Sequence, residues 1–418
     1  MQGEYAIPAL RWRSLIECSK PLLIWTRFLQ TVSPGAGVVM ESPFSLLLSF
    51  CSLLAVLPLT SVQAQSDESL LLVSSFAPLP DGGISCLKLN SSEGTLELLH
   101  KCGDIPQPFF FDVLPDQNLL CSIYAETFGG PPTEEIASWR LNPQDQKLQL
   151  INRSPTQGAA SCFVELTRDG KSVLVANYST GSVISFALQD GKLSAPVSFF
   201  QHQGSSVNNQ RQQEPHAHCF VISPCGKYAI AADLGTDNLH CYRLDAVTGR
   251  LEPAEMSLVP LPPGSGPRHL SFHPGGKSLS VINELANTIT SFAWDAGSGT
   301  LKSLQTISTL PDDFAGVTHT ADLKFTPDGR FLYGTNRGHD SIAMYGVQPN
   351  GMLKRIGIVD SHGAGPQNLA VSSDGRMLIC ANMPGKSVAA FRIDQSSGQL
   401  TFTAAVELAA PSCIRFLD

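Results

Sequence analysis

The sequence predicts an all-β fold: a seven-bladed β-propeller with four-stranded blades, whose ring is closed by strands from both termini. Three observations predict it: a recurring turn motif, alternating strand patterns between the turns, and a composition rich in turn-forming residues. The 418 residues include 35 Gly and 29 Pro, while charged residues make up only 15%. Many short strands joined by tight turns fit this composition better than a helical bundle does.

The first turn motif combines Pro, Asp and Gly, which supply the fixed φ, the side-chain cap and the positive φ of a tight turn. It recurs at intervals of 53, 56, 50, 53 and 46 residues. A short apolar strand follows each copy, as in residues 172–176, and then an alternating strand, as in residues 182–188. The copies begin at Pro115, Arg168, Pro224, Pro274, Pro327 and Ser373.

A second turn signal ends in leucine and occurs seven times, at Leu96, Leu148, Leu193, Leu251, Leu301, Leu353 and Leu400. Seven copies of one turn and six of the other predict a unit that repeats seven times, with the chain ends offset within one unit. Residues 412–417 would then supply the first strand of a unit whose other strands begin near Ser69. Such closure removes a free sheet edge. The period is too long for a typical β-solenoid and does not suit a β-sandwich.

The N-terminal region is typical of a targeting segment. Residues 44–57 are apolar and uncharged but too short to cross a bilayer comfortably. The small-residue pattern at 62–64 predicts signal-peptide cleavage after Ala64. We therefore expect residues 1–64 to be an extension plus a signal peptide at about 40–64, and residues 65–418 to form one propeller domain. The mature protein would be exported, periplasmic or extracellular, without a stable membrane span; the alternative is a membrane anchor through the uncleaved segment.

The composition argues against several partners. The net charge is −8 and no basic run occurs, so we expect no nucleic-acid partner. Cysteines form no CxxC pair and no zinc-type spacing, which predicts buried free thiols and neither a metal site nor a cofactor. A cation held by channel Asn and Asp oxygens stays open as an alternative.

Polar residues recur where the strand after each turn ends. Asn177, Asp233, Asn283 and Asn336 occupy this register position. They are candidates for substrate binding, and the competing interpretation is that they cap their own hairpins. The residue that follows varies between units and includes three further candidates: Tyr178, Glu284 and Arg337.

A second register, six residues before each turn, predicts the start of the innermost strand of each unit; it contains Phe109, Cys162, His218, Arg268, Ala321 and Gln367. In an antiparallel blade, the start of one strand and the end of the next lie on the same side. We therefore predict that five side chains converge: His216, His218, Arg268, Glu284 and Arg337. The arginines could bind a carboxylate, a phosphate or a developing oxyanion while a His or Glu activates water. The alternative is an inert plug in which Glu284 is paired with Arg268 or Arg337.

Several motifs together resemble one known family. They are Ala176-Asn177-Tyr178, Pro215-His216-Ala217-His218, Ala232-Asp233-Leu234-Gly235-Thr236-Asp237, Gly266-Pro267-Arg268-His269, Asn283-Glu284-Leu285 and Asn336-Arg337-Gly338-His339-Asp340-Ser341-Ile342. Their order is similar to that in the lactonase family of seven-bladed propellers. That family includes a bacterial type of 6-phosphogluconolactonase and a fungal carboxy-muconate cycloisomerase. The resemblance runs from about Leu70 to the C-terminus.

The resemblance implies that His216 or His218, together with Arg268, Glu284 and Arg337, lines an active site. It also implies a lactone hydrolase that opens a sugar lactone by water attack, with a small-molecule lactone or organic acid as its partner. The alternatives are a cycloisomerase that closes muconate-type acids and a non-catalytic exported scaffold. Gln367 is a further candidate for substrate binding. It is also a departure at the anion site, because many relatives have arginine at this position.

Overall fold

The computed structural model describes residues 67–124 and 134–418. The predicted signal peptide and its cleavage point lie outside these residues, so they remain predictions. Among the residues described, no helix has the length and apolar character needed to cross a membrane. One 3₁₀ turn covers Pro115–Gln117.

The described residues form 28 strands in seven four-stranded antiparallel sheets. The strands are β1 (Glu68–Ser75), β2 (Gly83–Asn90), β3 (Thr95–Gly103), β4 (Phe111–Leu114), β5 (Leu119–Tyr124), β6 (Glu135–Leu141), β7 (Leu148–Pro155), β8 (Ser161–Leu166), β9 (Ser172–Asn177), β10 (Ser182–Gln189), β11 (Lys192–Gln201), β12 (Ala217–Ile222), β13 (Tyr228–Asp233), β14 (Asn238–Asp245), β15 (Arg250–Pro260), β16 (Pro267–Phe272), β17 (Ser278–Asn283), β18 (Thr288–Asp295), β19 (Thr300–Ser308), β20 (His319–Phe325), β21 (Phe331–Arg337), β22 (Ser341–Val347), β23 (Leu353–Asp360), β24 (Pro366–Val371), β25 (Met377–Asn382), β26 (Ser387–Ile393), β27 (Leu400–Glu407) and β28 (Pro411–Phe416).

Each sheet is one blade of a propeller. Blades 1 to 6 are β4–β7, β8–β11, β12–β15, β16–β19, β20–β23 and β24–β27. Blade 7 has the order β28-β1-β2-β3, in which β28 pairs antiparallel with β1 through Leu72 opposite Arg415 and Val73 opposite Ile414. The prediction of an all-β seven-bladed propeller closed by strands from both termini is therefore confirmed.

The blades pack through their middle strands. Strands β5, β9, β17 and β25 are buried along their whole length. A strand that is covered by neighbouring blades on both faces is apolar along its whole length. Apolar and polar residues therefore do not alternate in the segment after each turn. The outer strand β11 alternates between exposed and partly buried residues instead. Eight of the nine cysteines in the described residues are buried free thiols, as predicted.

The first strands of the blades (β4, β8, β12, β16, β20, β24 and β28) line the central channel, where each contacts the next around the ring. Six of them break register with their partner strand at their first residues. A β-bulge of this kind bends the strand and redirects its side chains. The register shift leaves seven residues without a partner on the neighbouring strand: Cys162, His218, Arg268, Ala321, Asp322, Gln367 and Ser412.

This arrangement confirms that the second sequence register marks the start of the inner strands, with one exception. Strand β4 begins at Phe111 and pairs without a shift, so Phe109 lies two residues before it. The prediction was wrong for Phe109 because the first unit lacks the bulge that adds a residue to the other inner strands.

Side chains also satisfy backbone groups that the inner strands present to the channel. An inner strand has no sheet partner on its channel side, and unpaired buried amides are costly. Four acceptors from one blade each bind an amide of the next blade at 2.9–3.0 Å. The pairs are Asp112 with Leu166, Glu165 with Ile222, Asp322 with Leu369, and Asn368 with Ile414.

Candidate active site

The predicted side chains meet at the mouth of the channel where the inner strands begin. Arg268 is the second residue of β16, and Glu284 directly follows β17, the antiparallel neighbour. Arg337 ends β21, and its register partner His319 begins β20. The start of each inner strand and the end of the next strand thus share one side of the disc. The prediction that these groups lie on the same side is confirmed by their ion pairs.

Glu284 is the centre of the cluster. Its Oε2 lies 2.9 Å from Nε of Arg268 and 2.8 Å from Nη2 of Arg337. Its Oε1 lies 2.7 Å from Nη2 of Arg211. Burial raises the pKa of the Glu284 carboxyl, but the charges of Arg337 and Arg268 outweigh burial and hold it well below the ordinary value. Glu284 is therefore an ionised group with little tendency to take up a proton.

Arg268 is the deepest member of the site, with only 1% of its surface exposed. Its Nη1 donates to the carbonyl of Ala321 in the next blade. Burial, followed by repulsion from Arg337, lowers the pKa of Arg268 to about 10. The side chain remains charged near neutral pH, and Glu284 supplies its counter-charge.

Arg337 lies nearer the solvent, with 26% of its side chain exposed. Its Nη2 donates to the Thr320 carbonyl at 3.0 Å, and its Nη1 lies 3.4 Å from Oε1 of Gln367. Gln367, a predicted substrate-binding residue, is buried beside it. The position where many relatives have arginine therefore holds a neutral acceptor that orients Arg337.

Arg211 was not predicted from the sequence. It comes from residues 202–216, which connect β11 to β12 and contain no repeat motif. Its Nη2 binds the Tyr178 hydroxyl at 3.2 Å as well as Glu284. The next residue, Gln212, is fully buried and donates to the Leu234 carbonyl at 2.8 Å, which anchors the loop. The unusual length of this connection was the available signal, because long loops in compact domains are often functional.

Tyr178 and His216 stack at the edge of the cluster. Their ring centroids are 4.5 Å apart and the planes differ by 9°. Nδ1 of His216 lies 3.0 Å from the backbone carbonyl of Tyr178. A carbonyl only accepts, so Nδ1 carries the proton and Nε2 of the neutral ring keeps its lone pair. Both side chains are half-buried, which leaves the pair accessible from the mouth of the channel.

His218 lies deeper than His216. Its Nδ1 is 3.7 Å from Sγ of Cys162, and its ring meets Tyr178 edge-on at 5.2 Å. Burial, followed by the charge of Arg268, lowers the pKa of His218 well below its ordinary value. The imidazole is consequently neutral and adds no further positive charge beside Arg268.

The sequence of the whole domain matches a known family. A family model described as a seven-bladed β-propeller lactonase matches residues 70–416. The chain belongs to the lactonase family. The resemblance inferred from the motifs is thereby confirmed.

Relatives of this lactonase-family chain include proteins with named activities. A Bacillus subtilis protein named 6-phosphogluconolactonase is 31% identical over 340 residues, which cover 80% of this chain and 94% of the relative. A Formosa agariphila protein of the same name is 30% identical over 332 residues, covering 77% and 91%. Among solved structures, a Pseudomonas aeruginosa periplasmic gluconolactonase has a TM-score of 0.76 and 32% identity, covering 84% of this chain and 99% of that one.

The predicted polar ring of this lactonase-family propeller forms buried hydrogen bonds to its hairpins and to the connections between blades. Asn177, Asp233, Asn283 and Asn336 are all fully buried. The amide groups of Asn177 and Asn336 each bind a backbone carbonyl and the hydroxyl that begins the next strand. Asp233 accepts from the amides of His216 and Thr236. Substrate binding by these four residues remains a prediction, and the proposed site does not include them.

One cluster in the described residues has metal-ligand chemistry. Ligand atoms of His202, Asp233 and His240 lie within 4.8 Å of one another. The two imidazole rings stack at 3.5 Å with planes 4° apart, so their in-plane lone pairs run parallel and do not converge on one ion. Nδ1 of His202 instead lies 2.6 Å from Asp233, whose carboxylate holds the segment that carries His216.

Proposed function

We propose that this lactonase-family chain hydrolyses a sugar lactone at the mouth formed by Arg211, Arg268, Glu284 and Arg337. The observation that carries the proposal is the set of three arginines around one buried carboxylate. Three positive charges and one negative charge leave the cluster with a net charge of +2. Such a site favours an anionic group and a developing oxyanion.

The arginines divide this work by their exposure. Arg268 is buried, and its Nε and Nη1 bind Glu284 and the Ala321 carbonyl, so we assign it to holding the Glu284 carboxylate and adding positive charge to the site. Arg337 and Arg211 are partly exposed, with 26% and 35% of their side chains accessible. We assign substrate contact to these two arginines.

Among the groups that could activate water, His216 is the best candidate. The pKa of Glu284 is held too low for an efficient base, and His218 is buried. His216 is half-buried and keeps the lone pair of Nε2 free because Nδ1 donates to Tyr178. In the proposed reaction Nε2 takes a proton from water as its oxygen bonds to the lactone carbonyl carbon. The resulting oxyanion collapses, the ring C–O bond breaks, and the imidazolium returns the proton to the leaving alkoxide, giving a hydroxy acid.

The substrate class follows from the relatives and from one local difference. The named relatives are 6-phosphogluconolactonases and a gluconolactonase. Gln367 adds no charge to the anion site. We therefore propose an aldonolactone, phosphorylated or not, as substrate. Export through a signal peptide at about 40–64 is part of the proposal, and the similarity to a periplasmic gluconolactonase supports it.

The test is the rate of ring opening of glucono-δ-lactone and its 6-phosphate, measured by pH-stat against the spontaneous reaction. Wild type should accelerate opening of at least one of the two, and Arg337→Gln should lose most of the acceleration. Arg243→Gln is the matched control, since Arg243 is exposed on β14 and paired with Glu252. Rates equal to the spontaneous reaction would exclude hydrolysis of these lactones. Loss of a muconate chromophore on incubation would instead support the cycloisomerase alternative.

A further inference from the structure

Side chains from five blades contact one another near the middle of the inner strands. Phe110 and Phe163 lie with ring centroids 4.6 Å apart, and both contact the ring of His269. His269 binds Asp322 at 2.8 Å, and Asp322 binds Asn368 at 2.7 Å. These contacts run from blade 1 through blades 2, 4 and 5 to blade 6. The Glu284 cluster and the opposite mouth lie on either side of these contacts along the inner strands.

The opposite mouth holds a cavity of about 520 Å³. Its rim includes Thr167, Ser223 and His273, which come from the turns after the inner strands β8, β12 and β16. The Glu284 cluster lies where the inner strands begin, so the cavity is at the other end of these strands. Its volume lies within the range of small-molecule pockets. Its walls include apolar side chains, among them Phe163, Ile222, Leu270 and Phe272.

Charged side chains recur at this mouth at one position of the inner strands. In each bulged strand, that position is three residues after the first residue that the register shift leaves without a partner. This position holds Asp112, Glu165, Val221, Ser271, Lys324, Ala370 and Arg415. Two cationic members are already paired: Arg415 lies 2.9 Å from Asp112, and Lys324 lies 2.9 Å from Asp322. Glu165 is the charged member that forms no ion pair in the described part of the chain, although Arg415 and Lys324 are near enough to act on its charge.

Only one of the two carboxyl oxygens of Glu165 accepts a hydrogen bond from the residues described. Its Oε1 accepts from the amide of Ile222 at 3.0 Å, while Oε2 has no hydrogen-bond partner among the residues described. The carboxyl lines the cavity together with Phe163 and Phe272. Burial, and then the charge of Asp112, raise the pKa of Glu165 to about 8, because the Ile222 amide, Arg415 and Lys324 compensate only in part. A partly buried carboxylate that forms no ion pair is stabilised by a bound cation.

We propose that this cavity binds a small organic cation, an amine with an apolar body whose ammonium group pairs with Glu165. The apolar walls would cover the body of the ligand, and Oε2 would accept from the ammonium. An organic anion fits less well, because Arg415 and Lys324 are neutralised by Asp112 and Asp322. The remaining charged groups at the rim, Arg168 and Asp169, are exposed and of opposite sign. This site does not depend on the proposed lactone reaction.

The test is calorimetric titration of the full protein with three matched probes: 2-phenylethylammonium, 3-phenylpropionate and 2-phenylethanol. The amine should bind most tightly, and Glu165→Gln should weaken it on the order of tenfold. The glutamine keeps an acceptor for the Ile222 amide, so the variant removes the charge with little change in shape. Amine affinity should also rise between about pH 6 and pH 9 as Glu165 gives up its proton.

Two further variants separate this cavity from the lactone site and from misfolding. Glu284→Gln should leave amine binding unchanged because Glu284 lies at the other mouth. Ser271→Arg places a guanidinium inside the cavity and should abolish amine binding while the circular dichroism spectrum stays that of wild type. No amine binding to wild type, equal binding to Glu165→Gln, or preference for the propionate would each overturn the proposal.

Discussion

The guanidinium of Arg337 in blade 5 lies 2.8 Å from the carboxylate of Glu284 in blade 4. The ion pair crosses the interface between two blades, and Glu284 also binds Arg268 within its own blade. One carboxylate therefore offsets three arginines that would otherwise repel one another.

Replacing this carboxylate should be costly for stability. We expect Glu284→Gln to lower the free energy of unfolding by about 3–5 kcal/mol, since breaking a buried ion pair leaves uncompensated charges. Urea unfolding followed by fluorescence measures the loss. Asp328→Asn is the control, because it removes an ion pair with Arg330 that is exposed on both sides. Similar losses in the two variants would show that the Glu284 cluster is no more stabilising than a surface pair.

The same carboxylate should make stability depend on pH in a defined direction. Its pKa is lowered in the folded protein, so in acid the unfolded chain binds a proton that the folded protein does not. The stabilisation is complete above about pH 5 and falls as the pH falls further. The stability difference between wild type and Glu284→Gln should therefore be largest at neutral pH and shrink toward about pH 3, as measured by urea unfolding across this range. A difference that grows in acid would contradict the ion-pair assignment.

The two histidines should differ in their effect on rate. We expect His216→Gln to lower kcat for the lactone by about 10²–10⁴ with little change in KM, because a positioned base contributes that much. His218→Gln should have the smaller effect, since its ring is buried and neutral. Initial rates by pH-stat give both constants. A larger loss for His218→Gln would transfer the role of base to His218.

Arg211 should act mainly on substrate binding. Arg211→Ala removes one partly exposed guanidinium, and we expect KM for the 6-phosphate to rise on the order of tenfold while KM for glucono-δ-lactone changes less. Gln213→Ala in the same loop is the control, as this side chain is exposed and, among the residues described, donates only to the Asn209 carbonyl. Equal changes for both lactones would indicate that Arg211 holds the loop and does not contact the anion.

Glu165 should show the opposite pH behaviour to Glu284. Its pKa is raised to about 8 in the folded protein, so the folded state keeps a proton that the unfolded chain releases above about pH 4.5. Rising pH therefore favours the unfolded state until Glu165 is ionised in both the folded and the unfolded state. Glu165→Gln should be more stable than wild type by on the order of 1 kcal/mol near pH 8 and show no gain near pH 4. Thermal unfolding at both values tests this, and a gain confined to acid would refute it.

The fold was predictable because turn-forming residues recur in the sequence once per blade and so mark the repeating unit. The convergence of Arg268, Glu284 and Arg337 followed from the same register, since antiparallel pairing places strand starts and ends together. Arg211 was not predictable in this way, because its loop has no counterpart in other blades. The ionisation state of Glu284 could not be predicted from the sequence either. Residue spacing predicts which groups meet, but the charge state of Glu284 depends on its burial and on all three arginines, including Arg211. Phe109 was misplaced because register arguments assume equal units, and the first inner strand lacks the bulge.

The pairing of β28 with β1 ties the completion of the molecule to its last residues. Until Pro411–Phe416 are synthesised, β1 has an open edge and the inner strands β4 and β24 lack a neighbour. Until then blade 7 lacks its inner strand, and a nascent chain on the ribosome cannot close the ring of blades. If the protein is exported unfolded through a secretory channel, as proposed above, this delay would be an advantage, because the closed ring forms only after β28 has emerged.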